Sequence, residues 1–266
     1  MESLVTVDDY SPPNHEDKIS ISGSSNLGMF MPAISMDQFY LDAAKGLGAV
    51  ERILNSTDEQ FQSRNFLLDA VLEFGIPLMS AKPFSPWLRA MNASGFGVFQ
   101  YPTEFVDFLC QVIPLGIESA IEIGSFRGGS SYILAAVLQR ANSMAQLTMV
   151  DIEDNLVCFD LFSQKLNLVK AIPSTSADFY ARQFDLVFVD GDHTFLGVLR
   201  DFANVGRFAK KALAFHDIHA HEFDSEDGGT VRAWNDIKQQ LVSTHSILEF
   251  SHCPEDSLGI GLALMK

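Results

Sequence analysis

The sequence predicts an α/β fold in which a doubly wound, mostly parallel sheet of seven strands ends in an antiparallel hairpin. Short apolar runs alternate with helical patterns from about residue 103 onward, as expected for parallel βαβ units covered on both faces. A glycine-rich turn separates the first of these strands from its helix. The last two strands are separated only by SHCPED, a link too short for a parallel crossover, which needs roughly a dozen residues.

The individual elements follow from apolar periodicity and from turn residues. The predicted strands are 119–124, 147–151, 168–173, 184–190, 212–217, 246–250 and 257–265. The predicted helices of this part are 103–113, 128–141, 155–167, 195–209 and 229–242. Upstream, residues 35–74 carry apolar side chains three and four apart, which predicts further helices that end at Gly75.

Three regions result from this pattern. Residues 1–34 are rich in Ser, Pro, Asn, Asp and Gly and are predicted to form a flexible arm. Residues 35–96 form a helical extension that we expect to cover the cleft or to make a homodimer contact, because amphipathic helices need a partner surface. Residues 97–266 form the ligand-binding domain.

Composition narrows the class of protein. The 266 residues are 47% hydrophobic and carry a formal net charge of −16, which disfavours binding to nucleic acid or to an anionic membrane. The three cysteines are isolated, which indicates buried thiols in a reducing compartment. No signal peptide or long apolar stretch is evident, so we expect a soluble cytoplasmic protein.

The turn IEIGSFRGGSS, residues 121–131, is the first candidate for ligand binding. Gly124 permits a tight turn, Gly128 and Gly129 permit close approach to the backbone, and the free N–H groups at the following helix start favour a carboxylate or phosphate. Glu122 would suit a cationic group. An ordinary strand-to-helix turn with Glu122 satisfied locally is the alternative.

Polar groups follow three further strands. Asp151 ends the second strand, where an acid typically binds the hydroxyls of a ribose, although a solvated carboxylate is the alternative. FDLVFVDGDHTF places Asp190 and His193 after the fourth strand, and ALAFHD places His216 and Asp217 after the fifth. Because carboxylates that share a cleft repel each other unless a cation or proton separates them, this edge of the sheet is a candidate divalent-metal site.

Together these motifs resemble a class I S-adenosylmethionine-dependent methyltransferase, with a Rossmann-like sheet. More narrowly, VDGDH is similar to the signature of small-molecule O-methyltransferases that include macrolide-sugar O-methyltransferases and the cephalosporin-hydroxylase-like group. The resemblance covers roughly residues 97–266 and extends upstream to the Q-x-P stretch in FGVFQYPTEF.

The resemblance implies a role for each motif. The S-adenosylmethionine site would comprise the following residues: Glu122, Gly124, Ser125, Gly128, Gly129, Ser130, Asp151, Ser176 and Asp190. Ser176 would lie beside the adenine, where the group often has G-D-S and this chain has Ser174-Thr175-Ser176. Asp190 and His193 would be catalytic, with His193 a base toward a substrate hydroxyl.

Asp190, His216 and Asp217 would hold the divalent metal, with Mg²⁺ expected first. Because a histidine ligand favours Mn²⁺, Fe²⁺ or Zn²⁺, the identity of the metal stays open, as does a metal-free acid–base mechanism. Core hydrogen bonding is the alternative for His216, and for Trp234 a core position is as well supported as a place in the substrate pocket. His219 and His221 are expected to be solvated loop residues.

Three functions are compatible with this sequence. The first is O-methylation of a hydroxyl on a sugar, natural product or other small metabolite. The second is a nicotinamide-dependent oxidoreductase on a related sheet, which the absence of G-x-G-x-x-G disfavours. The third is a binding protein of the same fold without catalysis, which the acids and His193 disfavour.

Overall fold

The computed structural model describes residues 36–77, 93–94, 96–219, 227–252 and 258–266, with side chains from residue 41 onward apart from Pro77, Ala93 and Ser94. The strands are β1 Ile76–Pro77, β2 Ala93–Ser94, β3 Ser119–Ile123, β4 Gln146–Val150, β5 Leu168–Ala171, β6 Leu186–Val189, β7 Ala212–His216, β8 His245–Phe250 and β9 Ile260–Met265. The helices are α1 Met36–Leu54, α2 Asp58–Phe61, α3 Arg64–Phe74, α4 Pro102–Val112, α5 Gly129–Ala141, α6 Phe159–Ser163, α7 Phe195–Asn204 and α8 Gly229–Leu241. The predicted arm, 1–34, lies outside the described residues.

Within the described residues, the main sheet has seven strands in the order β5-β4-β3-β6-β7-β9-β8. The first five strands of this order are parallel, and β9 pairs antiparallel with both β7 and β8. The predicted Rossmann-like sheet with its C-terminal antiparallel hairpin is therefore confirmed. β1 and β2 form a separate two-residue parallel pair.

The sheet is covered on both faces, which explains why its central strands are apolar throughout. All four residues of β6 and all five of β7 are buried. Alternate strand residues feed two hydrophobic cores, one shared with α1, α3, α4 and α5 and the other with α7 and α8. The edge strands β5 and β8 are only half-buried, as expected where one side of a strand has no neighbour.

The helical extension shares the first core. α1 packs against α3 and α5, and α3 packs against α4. At the centre of this contact the ring of Phe74 lies 5.1 Å from that of Phe96 and 6.0 Å from that of Phe162, measured between centroids. The helices predicted for 35–74 are thus present and integrated into the fold. Their use as a lid or dimer contact, and the domain boundary at residue 97, stay predictions.

Three predicted helices differ from the observed ones. The run after residue 57 is divided, because the Ser63 hydroxyl accepts a hydrogen bond from the Phe66 N–H and starts a new helix, α3. The predicted helix 155–167 is reduced to α6, since Cys158 adopts a left-handed conformation with φ 52°. The predicted helix 195–209 ends at residue 204, and a 3₁₀ turn, Gly206–Phe208, follows it.

Within the described residues, no helix combines the length and apolarity that crossing a membrane requires.

Candidate active site

The candidate site lies where the strand order reverses. From β3 the chain proceeds to β4 and β5 on one side, and then returns to place β6 and β7 on the other. Loops after β3 and β6 consequently diverge at their carboxyl ends, and ligands of doubly wound sheets bind in the crevice that this divergence opens. The glycine-rich turn follows β3 and Asp190 follows β6, so the two strongest motifs of the sequence meet at this point.

The glycines of the turn allow close contacts with other backbone segments. Gly124 has φ +91°, and a Cβ atom there would lie 2.1 Å from the carbonyl oxygen of Asp190. A Cβ atom at Gly129 would lie 1.9 Å from the carbonyl oxygen of Gly97, and one at Gly128 would meet the ring of Tyr132. The positive φ of Gly124 agrees with the tight turn predicted there, whereas Gly128 and Gly129 were predicted to let a ligand approach. The observed contacts show that the fold itself requires glycine at these positions.

Glu122 is fully buried in the middle of β3 beneath the turn. Its Oε1 accepts a hydrogen bond from the Ser130 hydroxyl at 2.5 Å, and its Oε2 accepts one from Ser131. Burial raises the pKa of Glu122 to about 7, although the two hydroxyls oppose the rise. Both Glu122 and Ser130 thus have local partners, while the Oγ atom of the buried Ser125 has no hydrogen-bond partner among the described residues.

Replacing Glu122 with glutamine is expected to stabilise the ligand-free protein above pH 7. Because the folded-state pKa is raised, ionisation of Glu122 opposes folding: stability decreases as pH rises from about 4.5 to about 7 and changes little beyond that. With about 1.4 kcal/mol per pKa unit, the effect at pH 8 is roughly 3 kcal/mol. Chemical denaturation between pH 4 and 8.5 checks this, with the exposed Glu59→Gln as control. Parallel stability curves for Glu122→Gln and wild type would contradict it.

Asp151 directly follows β4, and a backbone hydrogen bond joins it to Ser174, two residues before Ser176. The Asp151 carboxylate accepts hydrogen bonds from the backbone N–H of Phe126 at 2.7 Å and of Glu153 at 3.2 Å, and so braces the glycine turn. The Asp151 carbonyl accepts from the Ser174 N–H at 2.8 Å. Ser176 is buried, and its hydroxyl oxygen accepts from the Asn204 side chain at 3.0 Å. Their predicted contacts with ribose and adenine stay predictions.

The structure brings together the acid and imidazole side chains that were predicted to converge. His216 Nδ1 lies 3.0 Å from Asp190 Oδ1 and 3.2 Å from Asp217 Oδ1. His193 Nε2 lies 3.1 Å from Asp217 Oδ2 and 4.0 Å from Asp190 Oδ1. His216 and Asp217 are buried, whereas His193 is the most exposed of the four. We refer to these four residues as the acid–imidazole cluster.

The charges of this cluster compensate one another. Burial by itself would lower the pKa of His216, but Asp190 and Asp217 raise it well above its usual value. Burial would likewise raise the pKa of Asp217, but His216 and His193 hold it below its usual value. Asp217 also has a left-handed backbone, with φ 58°, a conformation uncommon outside glycine and frequent at functional sites.

The donor set suits a divalent cation. Asp190, His216 and Asp217 each offer one ligand atom, and these atoms all lie within 4.8 Å of one another. Two carboxylates with one imidazole match Mn²⁺, Fe²⁺ or Zn²⁺ better than Mg²⁺, which prefers oxygen ligands alone. Metal binding at Nδ1 would have to displace the proton that His216 shares with its two carboxylate neighbours.

Sequence reasoning did not assign a role to Gln100, whose side-chain Nε2 donates a hydrogen bond to Asp190 Oδ2 at 2.5 Å. Its only signal was the Q-x-P stretch. Trp234, considered for the substrate pocket, is a core residue whose indole N–H donates to Glu249 Oε1 at 2.6 Å. His219 is half-buried and its backbone N–H donates to the Leu258 carbonyl at 3.0 Å, while His221 lies outside the described residues.

A comparison with models of protein families found a match, and the matched residues include this site. Residues 121–218 match the family model of a methyltransferase domain. The match begins in β3, ends beyond Asp217, and so spans the glycine turn, Asp151 and the whole acid–imidazole cluster. It covers less than half of the chain. A comparison with curated proteins found no match to this chain.

The chain is also similar in structure to solved methyltransferases, at low sequence identity. An O-methyltransferase from Bacillus cereus in complex with SAH is 13% identical, with 87% of this chain and 99% of that chain covered and a TM-score of 0.49. The SAH-bound methyltransferase PaMTH1 from Podospora anserina is 11% identical, with 63% and 80% covered and a TM-score of 0.47. The O-methyltransferase TomG from Streptomyces achromogenes, in complex with SAM, is 14% identical, with 64% and 82% covered and a TM-score of 0.43. With TM-scores below 0.5, these similarities do not by themselves assign an activity to this chain.

Proposed function

We propose that this protein is an S-adenosylmethionine-dependent methyltransferase that methylates a hydroxyl group of a small molecule, assisted by a divalent metal. The observation that carries the proposal is the contact between its two motifs: the backbone of the glycine turn at Gly124 lies directly against that of Asp190. A cofactor held along the turn would therefore lie beside the acid–imidazole cluster. The methyltransferase-domain match over residues 121–218 supports the same assignment.

The chemistry requires a deprotonated hydroxyl next to an electrophilic methyl group. The hydroxyl oxygen attacks the methyl carbon, the carbon–sulfur bond breaks, and the sulfonium becomes the neutral thioether of S-adenosylhomocysteine. We assign His193 as the base that takes the hydroxyl proton. Asp217, 3.1 Å from His193 Nε2, would stabilise the imidazolium that results.

The proposal assigns the divalent ion to Asp190, His216 and Asp217. When bound, such an ion would lower the pKa of the substrate hydroxyl and fix the position of its oxygen. In the absence of an ion, a proton on His216 would offset part of the charge of the two carboxylates. Deprotonation of the substrate hydroxyl would then depend on His193 alone.

The acceptor is proposed only as a class, a hydroxylated sugar, natural product or other metabolite, because no described residue identifies it. Homo-oligomerisation through the N-terminal helices and a cytoplasmic location belong to the same proposal. A strongly acidic chain favours neither nucleic acid nor membrane as a partner.

A thermal-shift comparison separates this proposal from its alternatives. S-adenosylmethionine or S-adenosylhomocysteine is expected to raise the melting temperature by several degrees, since a ligand at roughly 100 times its Kd stabilises by about 2.7 kcal/mol. NAD is expected to have no effect. Stabilisation by NAD alone would favour the oxidoreductase. Binding of S-adenosylmethionine without transfer of its labelled methyl group to any of a panel of hydroxylated acceptors would favour the non-catalytic binding protein.

A further inference from the structure

A segment that is buried except at the half-buried Phe99, residues 96–101, connects the N-terminal helices to the candidate active site. The Val98 N–H donates to the Gly75 carbonyl, at the end of α3, at 3.0 Å. One residue earlier, the carbonyl oxygen of Gly97 lies so close to Gly129 that no side chain fits there. The segment is therefore fixed between α3 and the start of α5. It ends at Gln100 and Tyr101, directly before α4.

Gln100 is 1% exposed and reaches Asp190, ninety positions away in the sequence. The orientation of its amide is fixed, because a flipped amide would place Oε1 against the Asp190 carboxylate. Oε1 itself is buried and has no hydrogen-bond partner among the described residues. An unsatisfied buried amide oxygen is unfavourable, so a core packing role alone does not account for a glutamine here.

The electrostatic surroundings explain the choice of an amide. Asp190 lies close to Asp217 through their shared contact with His216, and the buried Glu122 also acts on this cluster. The Gln100 amide satisfies Oδ2 of Asp190 without adding a charge and without a proton to lose. Oδ1 of Asp190 is then left to face His216 Nδ1, at 3.0 Å.

We propose that Gln100 is a positioning residue for Asp190, and that residues 96–101 link the N-terminal extension to the active site. The effect of Gln100 on metal binding rests on the proposed function. In that function the Asp190 carboxylate, held by Gln100, presents its Oδ1 to the ion together with His216 and Asp217. Removing a hydrogen-bond partner of a metal ligand typically lowers metal affinity about 10–100-fold.

The first test measures Mn²⁺ binding to the full chain by calorimetry. Gln100→Met keeps the length of the side chain and removes its N–H groups, and is expected to weaken Mn²⁺ binding about 10–100-fold. A single cooperative melting transition, at whatever temperature, shows that the variant is folded under the conditions of the calorimetry. Gln139→Met, far from the cluster, serves as the matched control and should bind Mn²⁺ like wild type. Unchanged Mn²⁺ affinity in Gln100→Met would overturn the proposal.

The second test needs neither a metal nor a folded Gln100 variant. In ¹⁵N-labelled protein, one side-chain amide proton of Gln100 is expected to resonate downfield because it is bonded to a carboxylate, and to move upfield in Asp190→Ala. An amide resonance that does not respond to Asp190→Ala would overturn the proposal. If wild type binds neither Mn²⁺ nor S-adenosylhomocysteine, the proposed function fails, and the amide resonance still decides the positioning role.

Discussion

Asp190→Asn is expected to lower methyl transfer more than His193→Ala, and a chelator is expected to abolish turnover reversibly. Asparagine is close in shape to aspartate but removes the charge that the metal and His216 require. If the metal lowers the pKa of the substrate hydroxyl, deprotonation depends less on a strong base. The loss of His193 should therefore decrease the rate of methyl transfer less than the loss of Asp190 does. Transfer of labelled methyl from S-adenosylmethionine to a panel of hydroxylated acceptors measures all three.

A metal-free mechanism gives a different order. His193 would then be the main base, its replacement should lower the rate by about 10²–10⁴-fold, and chelator should have no effect. The two mechanisms are therefore separated by chelator and by the ranking of the variants. Near-normal rates in both Asp190→Asn and His193→Ala would show that the active site has been placed wrongly.

The second large effect concerns the glycine turn. Gly124→Ala is expected to abolish binding of S-adenosylhomocysteine in calorimetry. The new Cβ atom would lie 2.1 Å from the Asp190 carbonyl oxygen, a backbone atom that cannot rotate away, so β3 and β6 must separate at their carboxyl ends. The turn and the Asp190 backbone would be displaced together. The free energy of unfolding should fall by more than the roughly 1–3 kcal/mol that an unfavourable φ alone contributes.

Two other glycines supply matched controls. Gly116 also has a positive φ, +59°, but has open space where its Cβ would be placed, so Gly116→Ala reproduces the backbone strain without the clash. Gly48 lies exposed inside α1, and Gly48→Ala should stabilise the helix by about 0.5–1 kcal/mol. Both should bind S-adenosylhomocysteine like wild type. If Gly124→Ala also does so, the turn is not the cofactor site.

Much of this architecture could be predicted because its signals are local. A strand covered on both faces must be apolar throughout, as β6 is, and a six-residue link such as SHCPED permits only an antiparallel pair. The convergence of Asp190, His193, His216 and Asp217 followed from one topological rule: carboxyl ends of neighbouring parallel strands share an edge. The shortened α6 was not predictable, since apolar spacing does not reveal the left-handed backbone at Cys158.

The remaining features depend on contacts between distant parts of the chain. Gln100 is an ordinary polar residue before a helix until the fold places it against Asp190. The tight turn at Gly124 was predicted, but the contacts that exclude a side chain at 124 and 129 were not, because the atoms concerned belong to Asp190 and Gly97. The hydroxyls that satisfy Glu122 lie in the first turn of α5, and only the three-dimensional arrangement shows that they reach it.

The most direct test of the proposed function is a crystal structure of the full chain grown with S-adenosylhomocysteine and Mn²⁺. We expect the homocysteine part of the ligand along the turn from Gly124 to Ser130, its ribose at Asp151, and its sulfur facing the acid–imidazole cluster, with Mn²⁺ bound by Asp190, His216 and Asp217. Density for the ligand elsewhere, or an empty crevice at ligand concentrations far above those that saturate known methyltransferases, would contradict the proposal.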